Sequence, residues 1–321
     1  MTSVSQLTDF YYKGLYPNLQ ALEKERLTIL SRLRWLGIFG ALILIPLLVG
    51  LSRNFGIAHP AFIITATAIF IVALALYHTM IKGYIAHFKT TIITPLIGAI
   101  DPHLSYTPDA HIMQASFDHS QLFPHAIDRY SGSDYVQGSI EEIPLDFSTV
   151  HAQYRTKDSK GNTQWHTLFH GIFLVTAFPK LFHSKTIILP DQAEKLFGNL
   201  LGGWLQSHNA SRDELIRMDD PEFEKMFVVY GKDPIEAHYL LTHTMMQRMV
   251  TFQKKMRYPL YFSFIDNRIY VAIKTNKEMF EPSVFTSLLE YEQVMDYIGM
   301  LHHTIGLVEE LKLNEKLWSK P

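Results

Sequence analysis

Residues 134–156 read DYVQGSIEEIPLDFSTVHAQYRT, and this stretch decides the fold class. Apolar and polar residues alternate along it with the period of two that is typical of a half-buried strand. The turn KDSKGNT at 157–163 follows, and two further apolar runs come next, QWHTLFHGIFLVTAF at 164–178 and KTIILP at 185–190. The alternation, the aromatic content and the Gly-Asn pair within the turn predict an antiparallel meander.

Helix and strand patterns continue toward the C-terminus. The predicted elements are a helix at 191–207, a strand at 227–230, a helix within 240–256, a hairpin at 258–274 that turns at Asp266-Asn267, and a helical region at 283–317. Strands that group together with helices around them predict an α+β fold with an antiparallel sheet, not a parallel βαβ fold.

Two apolar runs lie near the N-terminus, WLGIFGALILIPLLVGL at 35–51 and PAFIITATAIFIVALALY at 60–77, and neither contains Asp, Glu, Lys or Arg. A bilayer core about 30 Å thick needs about 20 apolar residues, and about 17 suffice when flanking side chains reach the interface. The connector at 52–59 is too short to form a domain. The sequence therefore predicts a two-helix transmembrane hairpin with spans at 35–51 and 60–81.

Positive charges next to the two runs predict the orientation of the hairpin. They are Lys24, Arg26, Arg32 and Arg34 before the first run, Arg53 alone in the connector, and Lys82 and Lys89 after the second run. By the positive-inside rule, both termini are predicted to be cytoplasmic. The predicted organisation is an N-terminal amphipathic helix at 1–34, the hairpin at 35–81, a stalk helix at 82–100 and a cytoplasmic domain at 101–321.

The N-terminal segment carries an apolar stripe with helical spacing. Leu19, Leu22 and Ile29 recur at steps of three and seven along LYPNLQALEKERLTILSRLR, residues 15–34. These three residues form a candidate interaction face. The stripe is predicted to pack on the cytoplasmic domain of the same chain or to form a short coiled coil with another chain, and the first alternative is favoured.

Composition excludes several classes of function. The 29 Lys and Arg residues nearly balance the 31 Asp and Glu residues, so no global field attracts nucleic acid, and no nucleic-acid partner is predicted. The absence of cysteine excludes a disulfide framework and a thiolate metal site. Gly198, Gly202 and Gly203 match neither a Walker motif nor a dinucleotide fingerprint, so no cofactor is predicted.

One region is rich enough in His and Asp to suggest chemistry. This candidate catalytic cluster consists of His111, Asp118, His119, His125 and Asp128. His166 and His170 are also four residues apart, but on a strand such residues stand roughly 13 Å from each other, so we expect no shared metal ion.

Several stretches together resemble a known bacterial family. They are YPNLQALEKERLTILSRLRW at 16–35, VQGSIEEIPLDFS at 136–148, HGIFLVTAFPKLF at 170–182, DDPEFEKMFVVYGKDPIEAHYLLTHTMMQRM at 219–249, LYFSFIDNRIYVAIK at 260–274 and MFEP at 279–282. In this order they are similar to the family called domain of unknown function 3137. The resemblance implies a membrane-anchored bacterial protein, here expected in the inner membrane. Members of the family are often encoded beside a LemA-like membrane protein, which suggests such a protein as a partner, and the resemblance implies no reaction.

The residues themselves favour a structural joint at 222–242, because Glu222 and Glu224 suit the first turn of a helix and Asp233 suits a helix cap. The favoured interpretation is a membrane-anchored interaction or scaffold protein, with the bilayer and a LemA-like protein or a second copy as partners. A membrane-bound hydrolase that uses the His and Asp residues of 101–135 is the alternative. Export into a host cell is a third possibility.

Overall fold

The computed structural model describes residues 14–55, 60–123, 125–178, 180–191 and 214–311. The helices of these residues are α1 (Tyr16–Phe55), α2 (Pro60–Phe88), α3 (Thr94–Ile100), α4 (Gln114–His119), α5 (Pro221–Glu224), α6 (Pro234–Leu240), α7 (His243–Met256), α8 (Tyr291–Ile305) and α9 (Leu307–Glu310), and a π-helical turn at Lys89–Ile93 joins α2 to α3. The strands are β1 (Ser105–Thr107), β2 (Arg129–Ile140), β3 (Ile143–Lys157), β4 (Thr163–Ala177), β5 (Thr186–Pro190), β6 (Glu214–Ile216), β7 (Phe227–Gly231), β8 (Leu260–Ile265) and β9 (Arg268–Ile273).

These strands form one sheet in the order β1-β2-β3-β4-β9-β8-β5-β7-β6, and all of the pairs are antiparallel. Strands β2, β3 and β4 form the predicted meander. The strand at 185–190, which the prediction placed next in that meander, is β5, and it pairs with β8 and β7 because the β8–β9 hairpin is inserted between β4 and β5. Strand β1 was not predicted. The predicted α+β class with an antiparallel sheet is confirmed.

Two tight turns fix the register of the long hairpins. Asp266 and Asn267 both have positive φ and join β8 to β9, as predicted. Glu141 (φ 48°) and Glu142 (φ 72°) do the same between β2 and β3, where Ile140 pairs with Ile143. The strand pattern predicted over 134–156 runs through these two glutamates, and this part of the prediction is wrong. The turn was not predicted because Glu seldom occupies the left-handed region that such a turn requires.

The segment between β1 and β2 covers one face of the sheet. Because side chains alternate along a strand, one face of β3 and β4 supplies apolar residues at every second position. The buried cluster on this face consists of Ile112, Phe117, Leu122, Val150, Ala152, Leu168, Phe169, Phe173, Val175, Ile187, Leu189, Tyr261, Ile265, Tyr270 and Ala272. Helix α4 thus closes this part of the core.

The methionine-rich helix α7 is also a core element. One side of the helix is buried and consists of Met245, Met246, Met249 and Val250. These side chains fill the core and do not line an exposed groove. Thr242 caps the helix by accepting a hydrogen bond from the backbone N–H of Met245.

The chain divides into two compact units. One contains Ile97–Phe280 and the chain from Tyr297 onward, and the other contains the described residues up to Leu96 together with Glu281–Asp296. The segment at 281–296 therefore groups with the N-terminal helices. The predicted cytoplasmic domain at 101–321 had included it.

Among the residues that the structure describes, one helix is long and apolar enough to cross a membrane. It runs over Ile63–Ile100 for 38 residues, and its most apolar window has a mean hydropathy of 2.0 and is 0% buried. This finding supports membrane association through the second predicted span. The first predicted span lies within α1, which continues through Pro46 as one helix of 40 residues, and its role as a span stays a prediction.

Some predicted elements differ from the structure or lie outside it. The C-terminal helical region begins at Tyr291, not at residue 283, because the backbone N–H of Leu288 donates to the side chain of Glu23 instead of to a helical carbonyl. The predicted helix at 191–207 with its glycine cluster, the connector at 56–59 and the helix end beyond residue 311 fall outside the described residues.

Candidate functional site

The predicted interaction face is covered by the chain itself. Leu19, Leu22 and Ile29 are 0%, 1% and 6% exposed, and α1 packs against α2 and the π-helical turn. In this structure the face is covered within the N-terminal unit and offers no surface to a partner. Packing of the stripe on the cytoplasmic domain stays a prediction.

A buried ion pair on α1 holds the segment at 284–288. Arg26 donates through Nε and Nη2 to the two carboxylate oxygens of Glu23 at 2.8 and 2.7 Å, and through Nη1 to the carbonyl of Val284 at 2.7 Å. Glu23 also accepts from Ser287 Oγ and from the backbone N–H of Leu288, both at 3.0 Å. We call these five residues the Glu23–Arg26 clamp. The hydrogen bond from Arg26 lowers the pKa of Glu23, and the reverse interaction raises the pKa of Arg26.

The residues of the predicted catalytic cluster do not converge. Each of the five contacts a different neighbour. His111 Nδ1 lies 2.9 Å from the carbonyl of Ile112, and Asp118 accepts a hydrogen bond from Gln114. His119 Nε2 lies 2.9 Å from Asp266, His125 stacks on Tyr154, and Asp128 pairs with Arg155 at 3.0 Å. Within the described part of the chain, no three His, Asp or Glu side chains are placed to hold a metal ion. This geometry gives the hydrolase alternative no shared site.

The stretch at 222–242 is a joint, as its residue types indicate. Asp233 caps α6 by accepting from the backbone N–H groups of Ile235 and Glu236, as predicted. Asp220 caps α5 in the same way and is 2% exposed. The Nδ1 atom of His243 lies 3.2 Å from the Asp220 carboxylate, beside an open surface cavity of about 530 Å³.

A polar cluster that the sequence did not reveal lies on β2, β3 and β4. His170 Nε2 lies 3.2 Å from one oxygen of Glu278, and Ser133 Oγ lies 3.2 Å from the other. Ser133 Oγ is also 2.8 Å from Asp134 Oδ2, and the ring of His151 stacks on His170 with centroids 4.5 Å apart. We call these five residues the sheet cluster.

The sheet cluster connects β2 and β4 to Glu278. The hydroxyl of Ser133 lies between the carboxylates of Glu278 and Asp134. Glu278 lies just beyond β9, and the backbone N–H of Asn276 donates to the carbonyl of His170 in the same region. The cluster thus ties the chain after β9 to the sheet.

The ends of β3 and β4, with the turn between them, extend past the neighbouring strand. We call residues 151–170 the arm. The pairing of β4 with β9 covers only Ile172–Ala177, so residues 163–169 pair with β3 alone among the described strands. The side of the arm is aromatic: Arg129 Cζ lies 4.2 Å from the ring centre of Trp165, which is 42% exposed, and Tyr154 stacks on His166 with centroids 5.0 Å apart.

We expect the stability of β3 and β4 to fall as the pH drops below 6.5. Burial, followed by His170, lowers the pKa of His151 from 6.5, and Glu278 only partly opposes this. The unfolded chain then binds the proton more strongly than the folded chain, so the stabilisation is present above pH 6.5 and is lost as the pH falls toward the lowered pKa. Amide exchange of both strands at pH 7.5 and 5.5 measures this change.

The matched variants for this experiment are His151→Gln and His238→Gln. His151→Gln should reduce the pH dependence, whereas His238→Gln, at an exposed position on α6, should leave it as in the wild type. Equal pH dependence in all three proteins would refute the assignment to His151.

The fold and the exposed apolar helix define an α+β protein with a candidate membrane helix. Residues 167–313 match the model of a family described as "Protein of unknown function (DUF3137)", which confirms the predicted resemblance over this part of the chain. A comparison with curated proteins gives no match. Among solved structures, the chain is similar to the crystal structure of the mycobacterial trehalose monomycolate transport factor A, TtfA, with 9% identity and a TM-score of 0.33, over 68% of this chain and 94% of that chain. Similarity at this level supports no conclusion about fold or function.

Proposed function

We propose that this chain is a membrane-anchored binding protein that holds a partner protein at the cytoplasmic surface of the bacterial inner membrane. The open edge of the arm at residues 163–169 is the observation that carries this proposal. An open strand edge presents backbone N–H and C=O groups to which an extended segment of another protein adds as a further strand.

The side chains of the arm favour a protein partner with an acidic segment. Trp165 and Arg129 form an exposed pair. Trp, Tyr and Arg are the residue types that are enriched in binding hot spots. Residues 151–170 contain Arg155, Lys157 and Lys160 but only one carboxylate, Asp158. Arg155 is paired with Asp128, so Lys157 and Lys160 against Asp158 leave the turn of the arm with a small excess of positive charge.

Exposed apolar residues on α2 support the anchoring part of the proposal. Ile64, Phe70 and Ile71 are 66%, 68% and 58% exposed. A contiguous apolar surface of this kind is costly in water and favourable in lipid. The orientation with both termini in the cytoplasm and the first span at 35–51 belong to the proposal, and the family resemblance suggests a LemA-like membrane protein as the first partner to examine.

Photocrosslinking tests the arm directly. A benzoylphenylalanine at Thr163, an exposed position on the open edge, should form an adduct with one defined protein in native cells, and adding Trp165→Ala should lower the yield about 30-fold. The same group at Leu181, which is 76% exposed and outside the arm, is the control and should give no such adduct. Equal adducts at both positions, or adducts only between copies of this chain, would reject the proposal.

A further inference from the structure

A groove lies between α1 and α2 within the N-terminal unit. Glu25, Thr28, Ile29 and Arg32 line it from one face of α1, at the three- and four-residue spacing that brings side chains together on a helix. Its other wall is formed by Met80, Gly83 and Tyr84 of α2, and its volume is about 270 Å³. A Cβ atom at Gly83 would meet nothing within 4 Å, so a ligand can approach the α2 backbone there.

The groove presents one available positive charge. Its acidic residue, Glu25, is engaged by His87, whose Nδ1 atom lies 2.7 Å from the carboxylate. The hydroxyl of Thr28 donates to the carbonyl of Lys24 at 2.8 Å, so its oxygen remains only an acceptor. Arg32 is exposed, and it has no hydrogen bond or ion pair with the described residues. A planar guanidinium in this position is suited to phosphate.

The position along both helices places the groove at a membrane surface. Arg32 precedes the first predicted span by three residues, and Met80 lies at the end of the second. Trp35 is 55% exposed and stacks on Phe39 with ring centroids 5.4 Å apart, which is typical of an aromatic residue at the headgroup level. This placement rests on the membrane anchoring in the proposed function.

We propose that the groove binds the phosphate of an anionic phospholipid headgroup through Arg32. Basic pockets between membrane helices on the cytoplasmic side recognise anionic headgroups in this way. Gly83 leaves room for the headgroup beside the backbone, and the Glu25 carboxylate contacts His87, which leaves the Arg32 guanidinium available to the phosphate. The lipid fixes the depth of both helices in the membrane.

Native mass spectrometry of the full-length protein released from nanodiscs tests this site. In nanodiscs with equal phosphatidylcholine and phosphatidylglycerol, we expect the wild type to retain phosphatidylglycerol with about fivefold preference. Arg32→Gln should remove that preference, and Gly83→Leu should do so by filling the groove. Arg34→Gln, an equal charge change outside the groove, should keep it.

The outcomes separate the lipid site from the anchor. Recovery of every variant in phosphatidylcholine nanodiscs would show that anchoring holds, and failure of the wild type to enter nanodiscs would refute the proposed anchoring itself. Equal loss of preference in Arg32→Gln and Arg34→Gln would overturn the site, because it would show only a general surface charge. Inorganic phosphate that displaces phosphatidylglycerol from the wild type would also overturn it, in favour of a free-phosphate site.

Discussion

Replacing Gly171 with alanine is expected to destabilise the folded sheet by about 3 kcal/mol or more. A Cβ atom at this position would lie 2.1 Å from the carbonyl oxygen of Ile273 and 2.8 Å from the backbone nitrogen of Thr275. Both atoms belong to backbone at the end of β9, so neither can move aside as a flexible side chain would. The added methyl group would separate β4 from β9, the central pair of the sheet.

Thermal unfolding of the full-length protein measures this effect. For a chain of 321 residues, 3 kcal/mol corresponds to a decrease in Tm of about 5 °C. Gly299→Ala is the matched control, because a Cβ atom there meets nothing within 4 Å and the residue lies inside α8. That change should stabilise the helix by about 0.5–1 kcal/mol. A Gly171→Ala protein with the Tm of the wild type would contradict the close approach of β4 and β9.

Replacing Arg26 with methionine is expected to release residues 284–288 from α1. Arg26 and Glu23 have side-chain exposures of 7% and 11%, and removing one partner of a buried ion pair costs about 3–5 kcal/mol, because the other charge stays buried. The carbonyl of Val284 loses its donor at the same time. Amide exchange of Leu288 should accelerate by about 100-fold or more.

Lys24→Met is the control for the clamp. Lys24 lies between the two clamp residues in sequence but is exposed, so its replacement removes one positive charge and leaves the buried contacts in place. Its exchange pattern at 284–288 should match the wild type. If Arg26→Met also leaves the exchange of Leu288 unchanged, the clamp does not hold this segment.

Local patterns were sufficient to predict most of the sheet. The alternation in β3 and β4 and the Asp266-Asn267 turn depend on neighbouring residues, and a single sequence contains that information. The Glu141–Glu142 turn was missed because its residues carry none of the usual Asn or Gly signal for positive φ. Tertiary pairing imposes that turn through the register of the long hairpin.

The long-range polar contacts were not predictable in the same way. Glu23 meets Leu288 across 265 positions, and His170 meets Glu278 across 108, so no spacing rule connects them. The predicted start of α8 at residue 283 was too early for the same reason. The backbone N–H of Leu288 donates to Glu23 and not to a carbonyl of a helical turn, and the sequence does not indicate this long-range hydrogen bond. The Arg129–Trp165 pair was also not predicted. The position of Trp165 among the polar residues Gln164, His166 and Thr167 is the local feature that indicates an exposed aromatic side chain.

The His and Asp residues of 101–135 show that a local excess of these residue types does not by itself predict a shared site. They are close in sequence, but α4 and the start of β2 direct them to different neighbours, as the separate pairs of His119 with Asp266 and Asp128 with Arg155 demonstrate. Proximity along the chain therefore did not predict a shared site.

Cysteine accessibility tests the central claim, that α2 lies in the bilayer and carries the arm on the cytoplasmic side. The chain has no cysteine, so Phe70→Cys on α2 and Ser159→Cys in the turn of the arm each give one defined thiol. With a membrane-impermeant maleimide, Ser159→Cys should react only after the cells are permeabilised, and Phe70→Cys should stay unreacted in both conditions. Rapid labelling of Phe70→Cys in native membranes, or of Ser159→Cys in intact cells, would contradict the account.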